Sequence, residues 1–167
     1  MKKTGNNDNA DFQRIVMEQK STIYSVCYMF ASAKEEADDL FQETLVNMWQ
    51  GYDRFRGDSN VRTWIYRVSL NTCISYKRKK RVRTMPLDLS PDILNNSTPI
   101  GRQNMLLHER ITRLEPFDRA IILLWLEDMS YEEIAAIVGI TVKALAVRLV
   151  RIRQKLISLN NNPPKSK

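Results

Sequence analysis

Apolar side chains recur along this chain at spacings of three and four, a pattern that predicts helices nearly from end to end. Phe12, Ile15, Val16, Ile23, Val26, Cys27 and Phe30 keep to one face of a helix of roughly 20 residues. Leu40, Phe41, Thr44, Leu45, Met48 and Trp49 form a second stripe, and Glu36, Asp39, Gln42, Glu43, Val46 and Asn47 fall on the opposite face of the same helix. A long third helix should run from about Val61 into a basic run, with Val61, Trp64, Ile65 and Val68 turned toward a core. Its other ridge is polar: Thr63, Arg67, Asn71, Ser75 and Arg78. Further on, Met105, Leu106, Ile111 and Leu114 predict a short helix, and Pro116 opens another whose stretch Ala120 to Leu126 is wholly apolar.

The sharpest local signals lie between Ser130 and Leu156. Ser130 and Glu133 are spaced as a capping box, Ile134, Ala135 and Val138 follow at helical spacing, and Gly139 suits the left-handed turn that ends a helix. Thr141 caps a second helix with the stripe Leu145, Leu149, Ile152 and Leu156. Two short helices joined by a glycine turn are the pattern of a helix-turn-helix. The second helix carries Lys143, Arg148, Arg151, Arg153 and Lys155 and no acid, as a helix beside DNA phosphate requires.

Pro86, Pro91, Pro99 and Gly101, with the Asn-Asn-Ser-Thr run, exclude a regular helix between Thr84 and Asn104. About 20 residues is long for a loop inside one compact domain, so this segment reads as a boundary. The expected fold class is all-α: two small helical domains joined by a flexible Pro-containing linker, the C-terminal one a helix-turn-helix. The expected spans are a disordered tail over 1–9, a helical domain over 10–83, the linker over 84–104, a second domain over 105–157 and a tail over 158–167.

Charge sharpens this division. The net charge is +7 and the pI about 9.5, which favours a polyanionic partner, but the placement matters more than the sum. Glu35 to Glu43 holds five acids and no base, whereas Lys77 to Arg83 holds six bases and no acid. Leu114 to Glu133 carries six acids against the single base Arg119, and the sign then reverses across the last helix. Separate surfaces for separate partners follow.

The acidic helix admits three readings: a solvated face, a paired-carboxylate active site, or a docking face for a basic protein. No His, Lys or metal-ligand pattern surrounds its acids to tune them for catalysis. Cys27, Cys73 and the lone His108 make no metal-ligand spacing, and the two cysteines read as packed, reduced thiols. No glycine-rich phosphate loop or nucleophile elbow occurs, so no enzyme activity, metal or cofactor is expected. The longest apolar run is too short to span a bilayer and the N-terminus lacks a signal-peptide core, which predicts a soluble cytoplasmic protein without membrane insertion. The turn-forming segment Gly51 to Asn60, with Tyr52 and Phe55, precedes the Arg/Asn ridge and the basic run; together they resemble a site that handles unpaired bases by stacking and charge.

Acidic helix, aromatic loop, Trp/Asn/basic helix, Pro-broken segment and helix-turn-helix, in that order, resemble a bacterial RNA polymerase sigma factor of the extracytoplasmic-function (ECF) type. ADDLFQETLVNMW (37–49) is similar to the core-binding helix of sigma region two. FRGDSNVRTW (55–64), followed by Asn71 and the basic run, resembles the promoter-melting part of that region, and Leu114-Glu-Pro, SYEEIAAIVGI (130–140) and the Arg148–Leu149 pair resemble region four. The likeness covers about residues 10 to 157.

The resemblance implies a promoter-specificity subunit without catalysis of its own, a monomer when free of partners. Asp39, Gln42, Glu43 and Val46 match positions that bind core RNA polymerase. Phe55, Asp58, Ser59, Asn60, Arg67 and Asn71 match the part that captures an extruded base of the −10 element, and Arg78 extends that DNA-binding set. The helix from Val142 would lie in the major groove of the −35 element, with Lys143, Val147, Arg148, Val150, Arg151 and Lys155 as its DNA-facing candidates. An anti-sigma factor is expected as a further partner. The last helix departs from the family pattern: Val142, Ala144, Ala146, Val147 and Val150 stand where polar residues are common. Apolar side chains there meet thymine methyls, leave recognition to DNA shape, or lie against a protein. Two other functions remain: a one-component helix-turn-helix transcription regulator, and a degenerate sigma factor that binds polymerase but reads promoters weakly.

Overall fold

In a computed structural model of the chain, residues 7–55, 60–83 and 99–161 are described. They form helices throughout, with no strand among the described residues, and the chain divides into two compact units, Met1–Ser90 and Pro91–Lys167.

The first unit holds α1 (Asn7–Phe30), α2 (Lys34–Tyr52) and α3 (Val61–Arg83), each packed on the other two. The apolar stripes close on one another: Ile23, Val26, Cys27 and Phe30 from α1 meet Leu40 and Met48 from α2 and Ile65, Leu70 and Cys73 from α3, all buried. Burying each large aliphatic or aromatic side chain stabilises the fold by about 2 kcal/mol relative to leaving it in water. Thr44 is fully buried within this stripe, its Oγ1 3.6 Å from the Cys27 sulfur. Aromatic rings close the end of the unit near Tyr52: Phe12 meets Trp49 edge-on at 5.0 Å and Tyr52 at 5.3 Å, and Phe55 stacks on Trp64 at 4.7 Å.

Helix ends and the α2 face differ from the sequence expectation. Helix α1 begins at Asn7, inside the expected tail, and α2 runs through Gly51 to Tyr52 before the chain turns. Glu36 and Asn47, expected on the free face of α2, instead tie it to α3. The Asn47 amide donates to Thr72 Oγ1 at 2.9 Å, and Glu36, only 9% exposed, pairs with Lys77 at 3.3 Å and Lys80 at 2.7 Å.

The second unit holds α4 (Pro99–Thr112), α5 (Pro116–Leu126), α6 (Tyr131–Val138) and α7 (Val142–Asn161). Pro99 and Gly101, read from sequence as linker, lie in the first turn of α4. Proline is tolerated there because the first-turn amides lack intrahelical acceptors in any case. Helix α5 is the buried centre, with Ala120, Ile121, Ile122 and Leu124 all enclosed, as its apolar character on several faces requires. Buried Arg119 turns its guanidinium onto the carbonyls of Thr112 and Leu114, satisfying acceptors at the end of α4. No described helix is long and apolar enough to cross a membrane.

Candidate polymerase-docking and nucleic-acid interfaces

Asp39, Gln42, Glu43 and Val46 occupy one outward face of α2 at i, i+3, i+4 and i+7, and all four are exposed. The face is acidic with an apolar end, since Val46 is 53% exposed and Trp49 beside it is 48% exposed. With Glu36 and Asn47 committed to α3, these four residues remain exposed on that face of α2.

Behind that face lies a feature that sequence reasoning missed. Glu36 Oε1 accepts from Lys80, and Oε2 accepts from Lys77 and from the Ser32 backbone amide. Burial alone would raise the Glu36 pKa, but the Lys80 hydrogen bond, the Ser32 amide and the two ammonium charges outweigh it and hold the carboxyl at about 2. The basic run is therefore partly structural: two of its lysines anchor α3 to the acidic helix. The available signal was the pair of lysines three apart, on one face of α3. In the adjoining core Cys27 and Cys73 are both buried and unbridged, and the bond to Cys27 together with burial pushes the Cys73 thiol up, keeping it protonated.

The promoter-melting candidates separate into two groups. Asn60 sits at the start of α3, where its Oδ1 accepts from the Arg62 amide at 2.9 Å and its backbone carbonyl from the Trp64 amide at 3.1 Å. Phe55 is brought to the same end by its stack on Trp64. Arg67 and Asn71 follow on one ridge, about 10 and 16 Å along the helix from Asn60. Arg78 shares that ridge but lies about 27 Å away, too far to touch a base held near Phe55. Asp58 and Ser59 fall outside the described residues.

The helix-turn-helix is built as its local signals require. Ser130 Oγ accepts from the Glu133 amide while the Glu133 carboxylate accepts from the Ser130 amide, completing the capping box. Gly139 takes φ +77°, the left-handed conformation that ends α6, and Thr141 Oγ1 accepts from the Ala144 amide at 3.1 Å to start α7. Leu145, Leu149 and Ile152 are buried and fix the inner face of α7. Lys143, Val147, Val150, Arg151 and Lys155 are exposed on the outside. Arg148 has a second engagement: its Nε donates to Asp118 of α5 at 2.5 Å and its guanidinium lies 4.7 Å above the Phe117 ring. It orients α7 as well as presenting charge.

Comparison with known proteins places the chain in a family. The Sigma-70 region 2 family matches residues 15–83, which hold α2 and α3, and the Sigma-70 region 4 family matches residues 104–156, which hold the helix-turn-helix. The ECF RNA polymerase sigma factor SigG of Mycobacterium tuberculosis (strain H37Rv) is 26% identical over 176 residues, covering 87% of this chain and 48% of that protein. The chain thus spans about half the length of that relative. The ECF RNA polymerase sigma-E factor of Escherichia coli (strain K12) is 27% identical over 165 residues, covering 89% of this chain and 86% of that protein. Among solved structures, the fold resembles the sigma factor RpoE co-crystallised with the anti-sigma factor NepR from Bartonella quintana: TM-score 0.69, 22% identity, 92% of this chain and 98% of that one. It also resembles CnrH in complex with the cytosolic domain of CnrY, with TM-score 0.67, 25% identity, and coverage of 94% and 90%. With Sigma-70 regions 2 and 4 matched in order and likeness to ECF sigma factors over 87% and 89% of its length, this chain belongs to the sigma-70 family of RNA polymerase sigma factors, in its ECF branch.

Proposed function

We propose that this chain is a promoter-specificity subunit that binds core RNA polymerase, recognises −35 and −10 promoter elements and helps to melt DNA at the start of transcription. The observation that carries this reading is the exposed acidic face of α2, left free after Glu36 is drawn inward onto Lys77 and Lys80. Asp39, Gln42, Glu43 and Val46 form the docking patch, with charge for encounter and an apolar end for retention. Phe55, Asn60, Arg67 and Asn71, with Asp58 and Ser59, handle an extruded −10 base, while Arg78 attracts the backbone farther along. Extruding a base costs a few kcal/mol, which pocket contacts and phosphate attraction must return. The outward residues of α7 meet the −35 element.

The protein performs no catalysis itself and acts in the cytoplasm, where polymerase is. An anti-sigma factor is its expected regulator: RpoE was solved with the anti-sigma factor NepR, and CnrH with the cytosolic domain of CnrY. A one-component regulator would give the α2 face no task, and it would bind duplex operator DNA without polymerase.

The test combines pull-down with transcription. Purified chain should retain core polymerase, and Asp39→Arg should weaken retention at least tenfold without unfolding the domain, because this position is exposed. With core enzyme and a genomic fragment library the protein should yield discrete start sites. Failure to bind core, together with no effect of Asp39→Arg, sinks the proposal.

A further inference from the structure

The outward face of α7 has an apolar centre with cations on both flanks. Around the helix at 100° per residue, Lys143, Val147, Val150 and Gln154 cluster opposite the buried Leu145, Leu149 and Ile152. Val147 and Val150 sit in the middle of that face, 50% and 54% exposed. Arg151, Lys155 and Arg148 lie to one side, and Arg153 lies to the other, where its guanidinium rests 5.6 Å from the Trp125 ring. The helix carries no acid in its first turn, nor anywhere along its length.

Resting on the sigma-factor reading above, we propose that Val147 and Val150 determine −35 specificity by contacting the C5-methyl groups of two adjacent thymines in the major groove. The match is one of chemistry and of spacing. Cations on both flanks suit a groove walled on both sides by phosphate, and within such a groove the thymine methyl is the apolar group that a base edge offers. Only Lys143 and Gln154 supply polar groups to the middle of this face, so hydrogen-bonded readout is confined to its ends. The two valines are three residues apart, about 4.5 Å along the helix, close to the roughly 3.4 Å step between neighbouring bases. Both lie in the first half of α7, the part of a recognition helix that reaches base edges. Covering one methyl is worth about a fourfold change in affinity, and two about fifteenfold.

The test uses holoenzyme assembled from the full chain and core polymerase. It first selects binding sequences from duplexes randomised across the −35 segment. Selected thymines are then replaced one at a time by deoxyuridine, which removes the methyl and leaves the pairing edge unchanged. Adjacent thymines should be enriched, and each uracil should weaken binding about fourfold. At the thymine that each valine covers, the penalty should vanish with Val147→Ser or Val150→Ser, which remove both methyl groups and leave a hydroxyl. If uracil costs nothing on a selected sequence, or costs the same in the valine variants, the methyl contact is wrong while promoter recognition stands. If the variants leave DNA selection untouched and lose only binding to an anti-sigma protein, the face belongs to that protein and the inference falls. If the assembled mixture selects no sequence because the chain does not bind core, the sigma-factor reading fails with it.

Discussion

Replacing Glu36 by glutamine should destabilise the first unit strongly at neutral pH and much less in acid. The side chain keeps its size but loses the charge shared by Lys77 and Lys80, which are 16% and 40% exposed. A carboxyl displaced from 4.5 to about 2 corresponds to about 3 kcal/mol of stabilisation at pH 7. Because the two ammonium groups can turn toward water once unpaired, we expect a measured loss of about 2–3 kcal/mol. The sign of the pH dependence follows from the direction of the shift. A depressed carboxyl stabilises the fold fully above its unfolded value of 4.5, and the contribution fades as the pH falls toward about 2. The gap between wild type and Glu36→Gln should therefore shrink to roughly half or less by pH 3. Tryptophan fluorescence in urea reads the first unit through Trp49 and Trp64 once Trp125 is changed to Phe in both proteins. In heating experiments the same loss should lower the midpoint by about 10 °C or more for a unit of this size. A gap under about 0.5 kcal/mol at pH 7, or one unchanged at pH 3, would refute the view that a buried charge cluster holds α2 to α3.

Gly139→Ala should cost the second unit about 1–2 kcal/mol, read by fluorescence in urea in a chain that keeps Trp125. The cause would be conformational alone, because φ is +77° and an added Cβ meets nothing within 4 Å. Asp118→Asn should weaken the second unit by about 1 kcal/mol. It should also lower promoter binding by the assembled polymerase, whereas Arg148→Ala in the Asp118→Asn background should add little stability loss, a non-additivity that a double-mutant cycle measures.

What was legible in the sequence follows the range over which each interaction acts. The capping box, the Gly139 turn and the Thr141 cap involve residues within three positions of one another, so their side-chain chemistry announced them. The apolar stripes also announced the helices, because one face of each had to be enclosed. Glu36 was misplaced because its partners lie 41 and 44 residues away, although it stands one turn before Leu40 on the same side of α2, beside the buried stripe. Arg148 raised the same difficulty, since its bond to Asp118 crosses 30 positions. Pro99 was ambiguous on physical grounds: proline marks both irregular chain and first helical turns, and only packing of α4 on α5 and α7 decides between them. Of the outward face expected of α2, Asp39, Gln42, Glu43 and Val46 are exposed. The group proposed to handle a base was the least legible, because the contacts the structure gives Phe55 and Asn60 are an aromatic stack on Trp64 and a cap on α3.

The bond between Arg148 and Asp118 has a consequence for how such a protein changes over generations. It joins with Leu145, Leu149 and Ile152 to fix the rotation of α7 about its own axis, so inner and outer residues answer to different selective demands. A substitution at position 143, 147, 150 or 154 alters the outward surface, which we propose meets DNA, and leaves the packing against α5 and α6 intact. A duplicated gene could then redirect its product to a new set of promoters one exposed side chain at a time, without first passing through a destabilised intermediate.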